Sequence, residues 1–257
     1  MQRRLASFIK SNNLLCANQG GFRKGYRTTE HVFISKTLIN KYVYKCKTKL
    51  YVYFVDFKKA VDTVWRSALF LKLRATCKGI KGKLYNILHD MYSNTLYACK
   101  YQHLYTETFK ANQGVKQGDS LKTTLFNTFV DDIGKYFDPN ITEPVNLGDQ
   151  NLYHLLYADH LLLISESPTG LQNCLNSLQR YSADWKLAVN FDKTKIVVFS
   201  KQKLNKGIMY FYYGPNSIEI VETYKYLLGI LFCYSGKFSQ AMSNLADKAR
   251  KAYFALK

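Results

Sequence analysis

The sequence predicts an α+β fold in which an antiparallel sheet is backed by helices. Three observations carry that expectation. Tyr51 to Val55 is an unbroken apolar, β-branched and aromatic run, the pattern of a strand buried on both faces. Leu152 to Tyr157 and Leu161 to Ser165 are short apolar runs around Ala158-Asp159-His160, as in a hairpin with a polar tip. Ser167-Pro168 then opens a helix with Leu171, Cys174, Leu175, Leu178, Tyr181 and Trp185 on one stripe.

The remaining elements follow in chain order. Residues 1 to 50 predict a helix, a Gly-rich loop from Gln19 to Gly25, and a second helix from about Thr28, where Glu30 precedes the apolar series Val32, Phe33, Leu38 and Ile39. The strand that follows ends in Asp56. Residues 66 to 95 are helical in period through Leu69, Leu73, Leu84, Ile87, Leu88 and Met91, broken by a turn at Gly79 and Gly82. Tyr97 to Lys110 predicts a strand pair, and a helix from about Ser120 carries Leu121, Leu125, Phe129 and Ile133 on one face. Ile196 to Phe199, Ile208 to Tyr213 and Tyr224 to Phe232 predict further strands. A last helix places Phe238, Met242, Leu245, Ala249, Ala252 and Leu256 at heptad-like spacing, still running at the final residue, which predicts a partner surface outside the chain.

With 257 residues, 47% of them hydrophobic, the chain can build one compact domain, or one plus a partial second, and is not a disordered tail. Its 37 Lys+Arg against 18 Asp+Glu leave a net charge of +19. Residues 1 to 50 hold eleven Lys+Arg and the single acid Glu30, so the natural partner is a polyanion. Together with 21 Tyr and 16 Phe this is the composition of a nucleic-acid channel, where phosphates meet cations and bases meet rings. No apolar run approaches the roughly 18 residues of a membrane span, and Met1-Gln2-Arg3-Arg4-Leu5 is not followed by the apolar core of a secretory leader. The expected location is inside the cell, in nucleus or cytoplasm. The six cysteines lie at least 22 residues apart, which predicts reduced, buried thiols and no zinc site.

On so basic a chain, an acid in an apolar setting needs a reason. Asp56 at the end of a buried strand and Asp159 at a hairpin tip share that setting, and a divalent metal is a partner that acids on two neighbouring strand ends can hold together. Oxygen ligands and a phosphate substrate would favour Mg²⁺. Two capping or ion-paired acids with no metal are the alternative on these residues alone.

Three segments resemble, in order and spacing, the core motifs of reverse transcriptases: Tyr53-Phe54-Val55-Asp56-Phe57-Lys58-Lys59-Ala60-Val61-Asp62, Gly114 to Leu121, and Leu156-Tyr157-Ala158-Asp159-His160. The resemblance is to the enzymes of non-LTR (LINE-type) retrotransposons. Gln19-Gly20-Gly21-Phe22-Arg23 resembles their fingers block, Asn190 to Lys195 their palm block after the long helix, and Tyr224-Lys225-Tyr226-Leu227 to Gly229 their primer grip. It implies a polymerase palm at about 51–235 with finger insertions at about 66–110, a fingers part at 1–50, and the start of a thumb helix at 236–257.

The resemblance further implies an RNA-directed DNA polymerase acting on an RNA template, a DNA primer and deoxynucleoside triphosphates, with Mg²⁺, or Mn²⁺ as an alternative, held by Asp56 and Asp159. The backbone at Phe57 and Lys58 would lie against the triphosphate, and Gln117 and Gly118 against nucleotide and template. Arg23 would be a phosphate contact, and Lys195 or Lys193 a cation beside the leaving pyrophosphate.

Four positions depart from the family pattern. His160 replaces the second Asp of Tyr-Ala-Asp-Asp and would be a weak Mg²⁺ ligand. Val61 stands where an aromatic ring usually gates the ribose 2′-hydroxyl. Ser120-Leu121-Lys122-Thr123 lacks the usual prolines, and Tyr226-Leu227-Leu228-Gly229 is one residue longer than Tyr-Leu-Gly. The departures imply impaired catalysis, with a non-catalytic, nucleic-acid-binding relic or co-opted fragment as the competing reading. A group II intron maturase or a telomerase is a third, carried by no segment specific to either.

Overall fold

The computed structural model describes the chain apart from residues 24, 77–78, 94, 117–120, 205–208, 227–228 and 256–257. Its centre is β1 (Leu50–Asp56), whose seven residues are all buried. β1 runs antiparallel to β10 (Lys195–Phe199) on one side and β9 (His160–Ser165) on the other, and β9 pairs with β8 (His154–Tyr157), giving the order β10-β1-β9-β8. The unbroken apolar run of β1 follows from that position, since a central strand covered on both faces has no polar side to present.

Each face of the sheet has its own core. Tyr51, Tyr53 and Val55 face α3 (Arg66–Leu71), α5 (Lys122–Val130) and α7 (Pro168–Trp185), and pack with Leu69, Leu125, Phe129, Leu175 and Leu178. Leu50, Val52 and Phe54 face α2 (Thr28–Ile39) and the hairpin of β13 (Thr223–Tyr226) and β14 (Ile230–Cys233), and pack with Leu38, Tyr226 and Phe232. Helix α7 starts where expected: the Ser167 hydroxyl accepts the N–H of Gly170 at 2.9 Å, Pro168 occupies the first turn, and Lys186 at φ +56° ends the helix.

Outside this centre lie α1 (Gln2–Ser11), α4 (Gly82–Ser93), the short α6 (Pro139–Thr142) and α8 (Ser239–Ala255). A projecting arm is built from β2 (Leu96–Tyr97), β3 (Lys100–Tyr101), β4 (Leu104–Tyr105) and β5 (Phe109–Lys110), with β2 paired to β5 and β3 to β4. Two further hairpins are β6 (Val145–Leu147) with β7 (Gln150–Leu152), and β11 (Phe211–Tyr213) with β12 (Asn216–Ile218).

Several boundaries differ from the sequence expectation. Tyr224 to Phe232 is not one strand but the β13-β14 hairpin, which folds back across Phe54; residues 227–228 at its bend lie outside the described residues. Leu152 belongs to β7, so the expected strand from 152 to 157 is split between two sheets. Lys72–Thr76 and Asn40–Lys45 are wide π-type turns continuing α3 and α2. The apolar stripe of α8 is exposed, with Ala241 its buried residue and Met242 68% and Phe254 64% accessible. Cys46 and Cys99 are exposed, not buried; Cys174 is the fully buried thiol among the described residues, and burial pushes it up to about 12.

Candidate active site

The pairing of β1 with β9 sets Asp56 opposite His160, so their side chains leave the same face of the sheet. Asp159 precedes His160 in the two-residue turn between β8 and β9, where Ala158 has φ +57°. That turn is sterically costly for alanine, so something must hold it. The holder is the loop at Gln19 to Gly21. Gly20 donates its N–H to the Leu156 carbonyl at 2.8 Å and Leu156 donates to Asn18 at 2.9 Å, which lays the loop along the free edge of β8. Fully buried Gln19 accepts the N–H of Ala158 at 3.1 Å and that of Gly21 at 2.9 Å on one oxygen. A Cβ on Gly21 would lie 2.2 Å from the Ala158 nitrogen, so only glycine permits the approach.

Asp56 and Asp159 both open onto one cleft of about 540 Å³, walled also by Lys58, Asn190, Asp192 and Lys193. Asp56 is largely buried, its carboxylate 12% exposed and 3.6 Å from the Lys193 ammonium; that of Asp159 is 39% exposed, with the His160 Nε2 at 4.0 Å. The backbone of Asp56 is fixed from the other side, its N–H donating to the Thr194 hydroxyl at 3.1 Å and its carbonyl accepting from Asn190 at 2.8 Å. Beneath lies an aromatic floor. Tyr224 stacks on Phe54 with centroids 4.6 Å apart, and the Tyr226 ring meets His160 edge-on at 6.1 Å. Burial, helped by the Asp56 charge, pushes the Tyr224 phenol up to about 12, and burial raises that of Tyr226 well above its usual value.

The other expected residues are placed as follows. Lys58 lines the cleft, but its N–H already donates to Ala188 at 2.7 Å, and the Phe57 ring is core. Val61 is half-buried, and its carbonyl accepts the N–H of Val115 at 2.9 Å. Lys195 is held by Glu219 at 2.9 Å, so Lys193 is the lysine at the acids. Arg23 donates through one nitrogen to the carbonyls of Cys16 and Gln19, both at 2.8 Å, and lies over the Tyr26 ring. It braces the loop that supports Ala158. Gln117 and Gly118 lie outside the described residues. Gln19 carried no separate signal in the sequence; its role appears only where the loop meets β8.

Two carboxylates from neighbouring strand ends suit a divalent cation in kind, and they supply two of the six or more oxygens such an ion takes. Among the described residues no group of three His, Cys, Asp or Glu side chains is placed to hold a metal ion.

Residues 1–230 match the family model of the reverse transcriptase (RNA-dependent DNA polymerase). The chain belongs to the reverse transcriptase family. It is 24% identical over 246 residues to the RNA-directed DNA polymerase from mobile element jockey of Drosophila melanogaster, a match covering 90% of this chain and 25% of that protein. It is 27% identical over 177 residues to a Pol polyprotein from an R2 retrotransposable element of Nasonia vitripennis, covering 69% of this chain and 17% of that protein. This reverse transcriptase domain is of the retrotransposon kind, and it spans a quarter or less of the length of these two relatives.

Among solved structures, the domain superposes on apo telomerase from Candida tropicalis truncated from its C-terminal domain with a TM-score of 0.61 at 16% identity, covering 90% of this chain and 42% of that one. Telomerase from Candida albicans, solved with a fragment of telomeric RNA, gives a TM-score of 0.56 at 13% identity over 93% of this chain and 39% of that one. The likeness shows the polymerase palm fold. Reverse transcriptases generally use divalent metal ions. No helix among the described residues is long and apolar enough to cross a membrane.

Proposed function

We propose that the chain is the polymerising core of a non-LTR retrotransposon reverse transcriptase, extending a DNA primer with deoxynucleotides on an RNA template inside the cell. The observation that carries this is the single cleft shared by Asp56 and Asp159, walled by Lys58 and Lys193 in a chain of net charge +19. In this reading residues 51–235 are the palm, with a finger insertion at about 66–110, residues 1–50 belong to the fingers, and 236–257 begin the thumb. Asp56 and Asp159 hold Mg²⁺, or Mn²⁺, which would lower the charge of the triphosphate and the pKa of the primer 3′-hydroxyl. Lys193 and Lys58 face the phosphates, while Tyr224 and Tyr226 support the primer end from below. Arg23 holds the fingers loop from behind and contacts phosphate only by exchanging a carbonyl for it.

A second reading is favoured by His160, which brings an imidazole to the position opposite Asp56, where the family pattern has a carboxylate. Under it the palm persists as a nucleic-acid-binding scaffold with little or no catalysis. Primer extension on a primed RNA separates the two. Extension that vanishes in Asp56→Asn supports the polymerase, and none in Mg²⁺ or Mn²⁺, even with an aspartate restored at 160, supports the scaffold.

A further inference from the structure

Residues 66–116 carry nine Lys+Arg and two acids, Asp90 and Glu107, and almost none of that charge reaches the acidic cleft. Arg66 and Lys72 are buried, and Lys78 lies outside the described residues, but Arg74, Lys81, Lys83, Lys100 and Lys110 are exposed on the surface formed by α3, α4 and the β2-β5 arm. Two open clefts of about 700 and 490 Å³ run there, sharing the walls Leu71, Arg74 and Tyr85, and no residue that lines them lines the cleft of Asp56. Along this path cations alternate with rings. Arg74 lies 5.9 Å from the Tyr85 centroid and Lys100 5.5 Å from that of Tyr105, while Lys116 lies 5.8 Å from the centroid of Tyr92, whose ring is core.

The arm continues the path into solvent. Tyr101 and Tyr105 are 74% and 67% exposed, large rings with no covering element, on a ribbon whose register also brings Lys100 beside Tyr105. Its base is rigid: buried Arg66 donates to the carbonyls of Gly114, Tyr92 and Ala111 and to the Tyr97 hydroxyl. Exposed rings interleaved with cations suit a strand whose bases are unpaired, because a base held in a duplex cannot offer its face to a tyrosine. A second copy of this chain is a poor occupant, since each copy carries +19.

We propose that this groove and arm bind single-stranded nucleic acid as a second track, separate from the acid cleft. The proposal rests on the reading of the chain as a nucleic-acid-binding polymerase domain. Its test uses two exposed pairs, Tyr101→Ser with Tyr105→Ser, and Arg74→Gln with Lys81→Gln, whose folding is checked by circular dichroism. The probes are an unstructured single-stranded RNA of about a dozen nucleotides, within the usual span of one such site, and a blunt RNA–DNA duplex.

Each double variant should lose at least about tenfold in affinity for the single strand, the first by lost stacking and the second by lost phosphate contacts, and keep its affinity for the duplex. Unchanged single-strand binding overturns the track, and so does an equal loss on both probes, which would reduce it to general charge. Natural protein that binds duplex but not single strand overturns the track and leaves the polymerase reading standing; binding of neither overturns both. Sedimentation that changes in the tyrosine variant without a change in RNA binding assigns the arm to self-contact and overturns the proposal.

Discussion

Gln19 accepts the backbone N–H of Ala158 at 3.1 Å across 139 residues of sequence, and by that bond the loop before α2 holds the turn that presents Asp159. Gln19→Leu leaves that buried N–H without an acceptor, which should cost about 1–3 kcal/mol. The urea midpoint should fall, and amide exchange at Ala158 and Asp159 should quicken more than at β10. Gly21→Ala should do the same by collision, because its Cβ would lie 2.2 Å from the Ala158 nitrogen. Unchanged exchange at Ala158 in both variants would remove the loop as its support.

His160→Asp should add a carboxylate opposite Asp56 and next to Asp159, in a cleft that Asp192 also lines. Without metal the like charges should lower the melting temperature, and added Mn²⁺ or Mg²⁺ should raise it more than in the natural chain. Primer extension should rise with the substitution, and the natural chain should work better with Mn²⁺, which accepts imidazole more readily, than with Mg²⁺. Equal extension by both proteins in Mg²⁺ would show that His160 is no lesion.

Val61 should leave sugar selection weak, since it is too short to fill the space of a 2′-hydroxyl. Val61→Phe in the His160→Asp background should raise the ratio of deoxyribonucleotide to ribonucleotide incorporation by excluding the wrong sugar. The ratio of incorporation efficiencies measures it, and an unchanged ratio would remove Val61 from the gate.

Acid should destabilise the fold through two histidines. His154, among Phe137 and Tyr153, and His31, against Tyr157, are lowered by burial to about 4. The unfolded chain takes up these protons at about 6.5, so stability is full above that pH and is lost as pH falls from about 6.5 toward 4, with each histidine contributing on the order of 3 kcal/mol. The urea midpoint against pH should drop over that window. His154→Leu should flatten the drop; an equally steep curve in the variant would show that His154 does not drive it.

What the sequence determined by itself was local. The all-apolar run before Asp56, the polar tip at Ala158 to His160 and the Ser167-Pro168 start are each written in adjacent residues, because alternation, turn chemistry and capping act within a few positions. Tertiary structure decided what depends on distant segments. The order β10-β1-β9-β8 set Asp56 opposite His160 and put Lys193 at the acids while Glu219 held Lys195. Lysines two residues apart look alike in sequence, and only the strand register and the position of Glu219 distinguish them. Gln19 was silent for the same reason, since its partner exists only once the loop lies along β8.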